Sequence, residues 1–546
     1  MKIAEIRDLD GPNLFLLRPA IKLEVVLEDE PHLIAAGAAE AFILGESPPA
    51  PAELVPVSRE RVLTLLVEII NVLHDRAGVQ RPQILTRSME SPGHEVVAFS
   101  WHRRDLARGI ARAAFDILSG RESDLRGTID RLAALAVAPL AADQQPEMLP
   151  DQRRHVPIVG ITGTNGKTTT TRLLSAVLMH AGKRVGWTSS AGVYIQGECV
   201  LEGDFTGPAG AARVFEEPGI DVGVLETARG GILLRGLGYE SNDVSIVTNI
   251  SADHLGLHGV HSVEELAKVK QVVAAVTRPN GMVVLNADDP LVIAMLEGVR
   301  GRPFLISRNR SNPTLASHVA AGGWALWVEG GQVQFGHGGV IEVLTDVNDI
   351  PITFGGRAVH MLENALCAAA AALALGLESD QVASGLAAFR NEVNQNRGRL
   401  NVFQVNDATV IVDFAHNTAG LRHLLTLGRS LTRADAKLYA VVGSAGDRPD
   451  DALEELGRVG ASLADVVIVK DTHKYLRGRD RGDIPGRILR GTAAAGVPNP
   501  PQAEGEFAAF EWGMEQLQPG DTLAIMCIED FDRIIERLTE TGKPVS

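Results

Sequence analysis

The 546-residue sequence contains three cysteines, Cys199, Cys367 and Cys527, which lie far apart and form no metal-binding spacing. A disulfide framework and a zinc knuckle are therefore both excluded, and the three read as reduced thiols of a cytoplasmic protein. Aromatic residues make up only 4% of the chain. There is no uninterrupted apolar run of bilayer length, so the pattern is not that of a membrane-spanning protein. The opening "MKIAEIRDLDGPN" has scattered charges and no signal-peptide core, which again places the expected location in the cytoplasm. Positive charge is also short: the formal net charge of -16 argues against general nucleic-acid binding. No repeat or low-complexity tract stands out.

What is present is a globular composition, 45% hydrophobic and 22% charged, in a chain too long for one core. Residues 1–140 form the first region, an expected α+β domain. Its "IKLEVVLED" reads as a strand, and residues 58–78 and 101–118 read as helices. The second helix carries Arg103, Arg104, Arg108 and Arg112; the last three share a face that is either solvated or anion-binding. Residues 141–156, with prolines and paired glutamines, read as a linker. Residues 157–394 alternate β-branched runs ("VPIVGIT", "DVGVLET", "VSIVTNI", "GMVVLNA") with helix-like segments, which predicts a parallel sheet covered by helices. Within this region residues 320–339 read as a β-meander or hairpin insertion and 363–377 as a helix. A second alternation, Rossmann-like, occupies 395–546.

The most informative stretch is "GITGTNGKTTTTRLL" at 160–174, which supplies Gly163, Thr164, Asn165, Gly166, Lys167, Thr168 and Thr169. A strand entering glycines and then a helix places backbone N–H groups around an anion. Lys167 can reach outer phosphates, and the Thr168 hydroxyl can bind Mg²⁺. The common Walker spacing is not met, because position 161 is Ile. The competing reading is a glycine-containing turn before a helix. Other strand ends add Glu226, Asn249, Asp253 and His254, and in a parallel sheet such ends converge on one crevice. A carboxylate and an imidazole there suit a metal that neutralises triphosphate charge.

With these motifs in order, the chain from about residue 157 onward resembles the Mur ligase superfamily, which includes the folylpolyglutamate synthetases. "GTNGKTT" resembles its ATP loop, and Glu226 with "TNISADH" its magnesium positions. The resemblance implies ATP-dependent amide-bond formation through an acyl phosphate, with two Mg²⁺ ions. It implies Thr168 and Glu226 on the first ion and His254 on the second. Family members also use a carbamylated lysine; Lys270 in "LAKVKQVV" is the favoured counterpart and Lys268 the alternative. By the same resemblance Asn286 of "VLNADDP" lies near adenine, Arg399 of "GRLNVF" contacts phosphate, and Asp413 and His416 of "VDFAHN" contact ATP from the last domain. Lys167, Glu226, His254, Lys270 and Arg399 are thereby the expected catalytic set. Arg477, Arg479 and Arg481 of "RGRDRG" lie near the expected amine pocket, as carboxylate binders or as a solvated basic loop.

Within the superfamily "VYIQGECVLEGDFTGP" and "LETARGGILLRGLGY" resemble the Mur-like half of the cyanophycin synthetases, and "EIRDLDGPNLFLLRP" the opening of their N-terminal domain. Those enzymes carry an ATP-grasp domain between these two parts, where this sequence has only the short linker. The implied substrates are an amine or amino acid and a carboxylate of an amino acid, peptide or acidic polymer, the last docked by residues 1–140. No nucleic-acid or membrane partner is expected, and a homo-oligomer is left open. A second reading is kept, a nucleotide-gated binding or scaffold protein without ligase activity.

Overall fold

The computed structural model describes residues 1–27, 32–46, 53–89, 91–253 and 255–545. Three sheets organise the chain, of four, eleven and seven strands, with a two-stranded ribbon beside the first. The N-terminal sheet is antiparallel, ordered Lys2–Leu9, Ala20–Val26, His94–Ser100, Ile84–Ser88. Two helices cover it. Arg59–Arg76 starts where the Ser58 hydroxyl accepts the Arg61 N–H at 3.3 Å, and buries the stripe Val62, Leu65, Leu66, Ile69, Ile70 and Leu73. Arg104–Leu118 buries Leu106, Ile110 and Ala114 on one side. Its arginines follow neither sequence reading as a group. Arg104 donates to Asp10 at 2.8 Å and Arg108 to Asp8 at 2.7 Å, so carboxylates from the first strand and the loop after it neutralise them, while Arg112 is exposed.

In the central sheet the strands run parallel from Val185–Ser189 through Val222–Glu226, Ile158–Thr162, Asn242–Val247, Thr277–Asn286 and Arg302–Ser307 to Trp324–Glu329. These are the near-continuous apolar runs of the sequence, because helices cover both faces. Antiparallel hairpins extend the sheet at each end, one of them the insertion expected at 320–339. Ile158–Thr162 leads directly into helix Lys167–His180, and helix Val359–Ala374 packs alongside that helix. The alanine tract explains the packing: Ala368, Ala369, Ala370, Ala371 and Ala372 are all essentially inaccessible, and small side chains let backbones approach. The C-terminal sheet has a parallel core, Val466–Lys470, Leu438–Val442, Thr522–Met526 and Ala408–Asp413, with antiparallel Asn401–Val405 beside it. The fold is thus α/β with an N-terminal α+β part, a central phosphate-loop sheet and a Rossmann-like last part. Among the described residues no helix is long and apolar enough to cross a membrane.

The first and central sheets are joined by more than the intervening chain. Asp10 N–H donates to the Arg235 carbonyl at 2.6 Å and Leu237 N–H to that of Pro12 at 2.8 Å, and the Asp10 carboxylate lies between Arg104 and Arg235. Gly11 sits in this seam, where a Cβ would lie 1.8 Å from the Leu237 carbonyl oxygen, so only glycine fits. Residues 141–156 run along the central body, held by Arg154 on Asp243 at 2.9 Å and Ser241 on Asp151 at 2.8 Å.

Glu363, on the buried side of helix Val359–Ala374, has its carboxyl pushed up to about 7 by burial, which outweighs the Arg308 guanidinium 3.0 Å away. A folded-state value above the unfolded one means the folded chain holds the extra proton. Stability from this group is therefore complete below pH 4.5 and is lost as pH rises towards 7. Glu363→Gln is expected to match the parent at pH 4.5 and to exceed it at pH 8 by on the order of 2 kcal/mol. Parallel pH profiles of the denaturation midpoint for parent and variant would contradict this.

Candidate active site

The phosphate loop occupies the turn between Thr162 and Lys167. Two glycines let it fold back on its neighbours: at Gly163 (φ 148°) a Cβ would lie 1.9 Å from Thr248 Oγ1, and at Gly166 (φ 85°) 2.1 Å from Asn364 Oδ1. Asn249 braces the loop from the adjacent strand end. Its carbonyl accepts the Thr164 N–H at 2.8 Å, its Oδ1 accepts the Asn165 N–H at 3.0 Å, and its Nδ2 donates to the Asn165 carbonyl at 3.1 Å. The following helix has no side-chain cap, so its first N–H groups remain available to an anion.

Around this loop the structure gathers charge. Lys167 Nζ donates to the carbonyls of Gly163 at 3.1 Å and Thr164 at 2.9 Å. Thr168 Oγ1 donates to Glu226 Oε1 at 3.2 Å and accepts from Arg399 Nη2 at 3.4 Å. Glu226 is buried, and among the described residues its Oε2 has no hydrogen-bond partner. Lys270 is 3% exposed and donates to the Gly163 carbonyl at 2.6 Å from beneath the loop. Burial lowers the Lys167 ammonium and takes Lys270 well below the ordinary lysine value, with Lys167 itself a second cause for Lys270. Burial raises the Glu226 carboxyl against the opposing pull of Lys167 and Arg399.

The C-terminal body closes the other side of this cleft. Asp413 ends strand Ala408–Asp413; its Oδ2 accepts the Leu400 N–H at 2.8 Å, and burial raises its carboxyl while Arg399 opposes. His416 lies 3.9 Å from Asp253 and is pushed down to about 4, chiefly by burial, so it is neutral near pH 7. Arg448 reaches Asp253 at 3.3 Å across the same gap. Asn165 and Asn417 exchange side-chain amide hydrogen bonds at 3.4 and 3.1 Å. His360 and His423, one from each body, stack with centroids 4.6 Å apart and planes within 3°.

Of the residues expected from sequence, Gly163, Thr164, Asn165, Gly166, Lys167, Thr168, Thr169, Glu226, Lys270, Arg399, Asp413 and His416 meet at or directly beneath this cleft. Three groups lie elsewhere. Asn286 is buried and engaged with the Thr248 carbonyl and the Asp288 N–H, and it does not line the cleft; Asn364 lines it instead. Lys268 is exposed, because the two residues' rotation along the helix that separates it from Lys270 turns it to the opposite face. Arg479 clamps neighbouring loops through Asp483, Asp450 and the Gly446 and Arg448 carbonyls, while Arg477 and Arg481 are exposed and outside the cleft. His254 lies outside the described residues. Asn417, Arg448 and the His360–His423 pair were not among the expected site residues, although Asn417 directly follows His416 in "VDFAHN" and Arg448 lies in "GSAGDRPDD", a stretch that also resembles a loop of the family's last domain.

The Glu226 oxygen left unpartnered among the described residues, beside a threonine hydroxyl and the uncapped start of helix Lys167–His180, fits a hard divalent cation next to phosphate oxygens. Mg²⁺ is ordinarily held by one or two protein oxygens with the remainder from phosphate and water. Fold and site together define a phosphate-loop α/β protein whose loop faces a cleft shared with a second α/β body. Residues 161–372 match the family model described as Mur ligase middle domain, and residues 398–527 that described as Mur ligase, glutamate ligase domain; the chain belongs to the Mur ligase superfamily. It is 42% identical over 394 residues to a cyanophycin synthetase of Synechocystis, covering 71% of this chain and 44% of that protein. The chain thus spans less than half the length of that relative. It is 29% identical over 490 residues to a UDP-N-acetylmuramyl-tripeptide synthetase of Deinococcus radiodurans, covering 87% of this chain and 92% of the relative. Among solved structures, a bifunctional folylpolyglutamate synthase/dihydrofolate synthase with Mn, AMPPNP and L-glutamate bound shares the fold. Its TM-score is 0.52 and its identity 19%, over 70% of this chain and 89% of that one.

Proposed function

We propose that the chain is a cytoplasmic, ADP-forming amide-bond ligase that joins an amine or amino acid to a carboxylate of an amino acid, peptide or acidic polymer. One observation carries the reading: Lys167, Thr168, Glu226 and Arg399 meet at one end of a cleft formed by two bodies of a Mur-type chain. In this reading residues 157–394 bind ATP, residues 395–546 close over it, residues 1–140 dock the carboxylate chain and 141–156 connect them.

The chemistry follows from charge. A substrate carboxylate oxygen attacks the γ-phosphorus of ATP, the bond to the β-bridging oxygen breaks, and ADP leaves. Two anions must approach, so cations must screen them. Lys167 turns from the two loop carbonyls to the phosphates, and Arg399 lies one threonine away. Thr168 and Glu226 are the proposed holders of one Mg²⁺ and His254 with Lys270 of a second, which would supply charge neutralisation and in-line orientation. The amine nitrogen then attacks the acyl carbon, the C–O bond to phosphate breaks, and a proton is lost from nitrogen. The acyl phosphate must be kept from water, and contacts such as Asn165–Asn417 and Asp253–Arg448 hold the covering body in place.

The test uses a carboxylate substrate labelled with heavy oxygen, drawn from amino acids, dipeptides and aspartate-rich polymers. One heavy oxygen is expected in the released phosphate, with sustained ADP turnover only when carboxylate and amine are both present. Label in AMP would overturn the mechanism, and ATP binding without turnover on any pair would return the chain to the scaffold reading.

A further inference from the structure

The N-terminal body has a cavity of its own, of about 400 Å³, that the ligase site does not use. Its walls include His74, Trp101, Leu106, Arg18, His102 and Arg103. Three independent features meet at its wall.

The first is His74, which is 7% exposed at the end of helix Arg59–Arg76. Its Nδ1 lies 2.7 Å from the Ile70 carbonyl. A carbonyl only accepts, so Nδ1 carries the proton and Nε2 is a bare lone pair. Among the described residues that nitrogen has no partner, and burial holds the ring neutral. The second is the start of helix Arg104–Leu118, which has no side-chain cap. Gln144 Oε1 takes the Asp105 N–H and the Arg103 carbonyl takes that of Ala107. The N–H of Leu106, at the cavity wall, is left with the positive end of the helix dipole. The third is unspent cation. Most arginines of this acidic chain face carboxylates, including Arg81 on Asp75 at 2.7 Å at the rim. Among the described residues Arg18 makes no ion pair, and Arg103 donates to the Ala138 carbonyl, at 2.7 Å, and to no carboxylate.

We propose that this cavity is a second ligand site, which takes a carboxylate and the amide N–H beside it on a peptide-like chain. The carboxylate sits on the Leu106 N–H between Arg18 and Arg103, and the amide donates to His74 Nε2. An acid with an adjoining N–H can engage the Leu106 N–H and His74 Nε2 together, whereas inorganic phosphate has only its O–H to offer the imidazole. The choice of a peptide-like ligand rests on the ligase reading above; the existence of a site for an acid with an adjoining donor does not.

Calorimetric titration of the full chain with N-acetyl-L-aspartate, in the absence of ATP and Mg²⁺, tests the site separately from catalysis. Binding is expected, with inorganic phosphate and the N-acetyl-aspartate diamide both at least about tenfold weaker. Arg18→Glu and Arg103→Gln should each weaken binding about tenfold or more while leaving ATP turnover on small substrates unchanged. His74→Phe, which keeps the ring against Phe99 and removes the acceptor, should reduce the preference for the acid over phosphate. Equal affinity of parent and both arginine variants, or equal affinity for the diamide, would overturn the site. So would phosphate binding as well as the aspartate. Probe binding by a chain with no ligase activity would retain the site and reject the ligase, whereas ligation of small substrates with no probe binding would do the reverse.

Discussion

Lys167→Ala is expected to lose ATP turnover by about a thousandfold while the chain keeps its fold. Lys167 Nζ contacts two loop carbonyls and no apolar core, so its removal leaves no cavity in the sheet. Those carbonyls belong to the loop that lines the cleft and can turn to water there. What the substitution removes is a cation whose burial already disfavours its charge, and which an incoming phosphate would restore. The loss should therefore fall mainly on turnover rather than on nucleotide affinity, because charge on the transferring phosphoryl group spreads as the reaction proceeds. Steady-state kinetics with a parallel thermal melt separates the two outcomes. Near-parental amide formation would remove Lys167 from the phosphate site, and a collapsed melt would make it structural.

Lys270→Ala is expected to cost about a hundredfold or more in ligation, for a different reason. An amine 3% exposed, beneath the phosphate loop and near a second lysine, is neutral far below the ordinary lysine range. We propose that this amine takes up CO₂: the C–N bond would form, nitrogen would give up a proton, and an anionic carbamate would stand where a cation is disfavoured. Lys167 and Arg229, which depress the amine, would attract that carbamate. Labelled CO₂ should give one carbamate carbon signal in the parent and none in Lys270→Ala, with partial rescue of the variant by a short carboxylic acid. Lys268→Ala should leave the signal in place, since Lys268 is exposed. Loss of signal in Lys268→Ala instead would move the assignment. The pH sense is also defined. Without CO₂ the unfolded chain binds a proton at Lys270 that the folded chain refuses, so this group's burden lightens as pH rises from its depressed value towards 10.5. Added CO₂ should raise the melting temperature of the parent and leave that of Lys270→Ala unchanged.

Local pattern reached a long way into this protein. The alternation of apolar runs and helix-like segments corresponds to the parallel strands and their covering helices, because burial on both faces demands continuous apolar strands. The loop at 163–169 was legible for the same kind of reason: glycine, lysine and threonine between a strand and a helix suit an anion, and the structure places them in such a turn facing the cleft. Even Lys270 could be favoured over Lys268 from the helix that follows, although only burial on the folded helix separates their environments.

Charge was less legible. Arg104, Arg108 and Arg479 looked like candidates for binding anions, yet each is engaged by carboxylates of the same chain. A sequence displays an arginine without its partner, and ion pairing is decided by which elements the topology places side by side. Asn286 is the polar counterpart, since its amide is occupied within the sheet.

By itself the sequence determined which segments are strands and helices, where the phosphate loop lies and which residue types could serve an acyl phosphate, since all of these depend on neighbours within a few residues. Tertiary structure alone decided the shape of the cleft. Asn165 meets Asn417 across 252 residues, His360 stacks on His423, and Arg448 reaches Asp253. It likewise decided that Arg18 and Arg103 stay unspent beside a bare histidine nitrogen while the arginines around them are neutralised. The reason is physical: hydrogen bonds and ion pairs act over a few ångströms of space, and only the packing of distant elements brings such groups within reach.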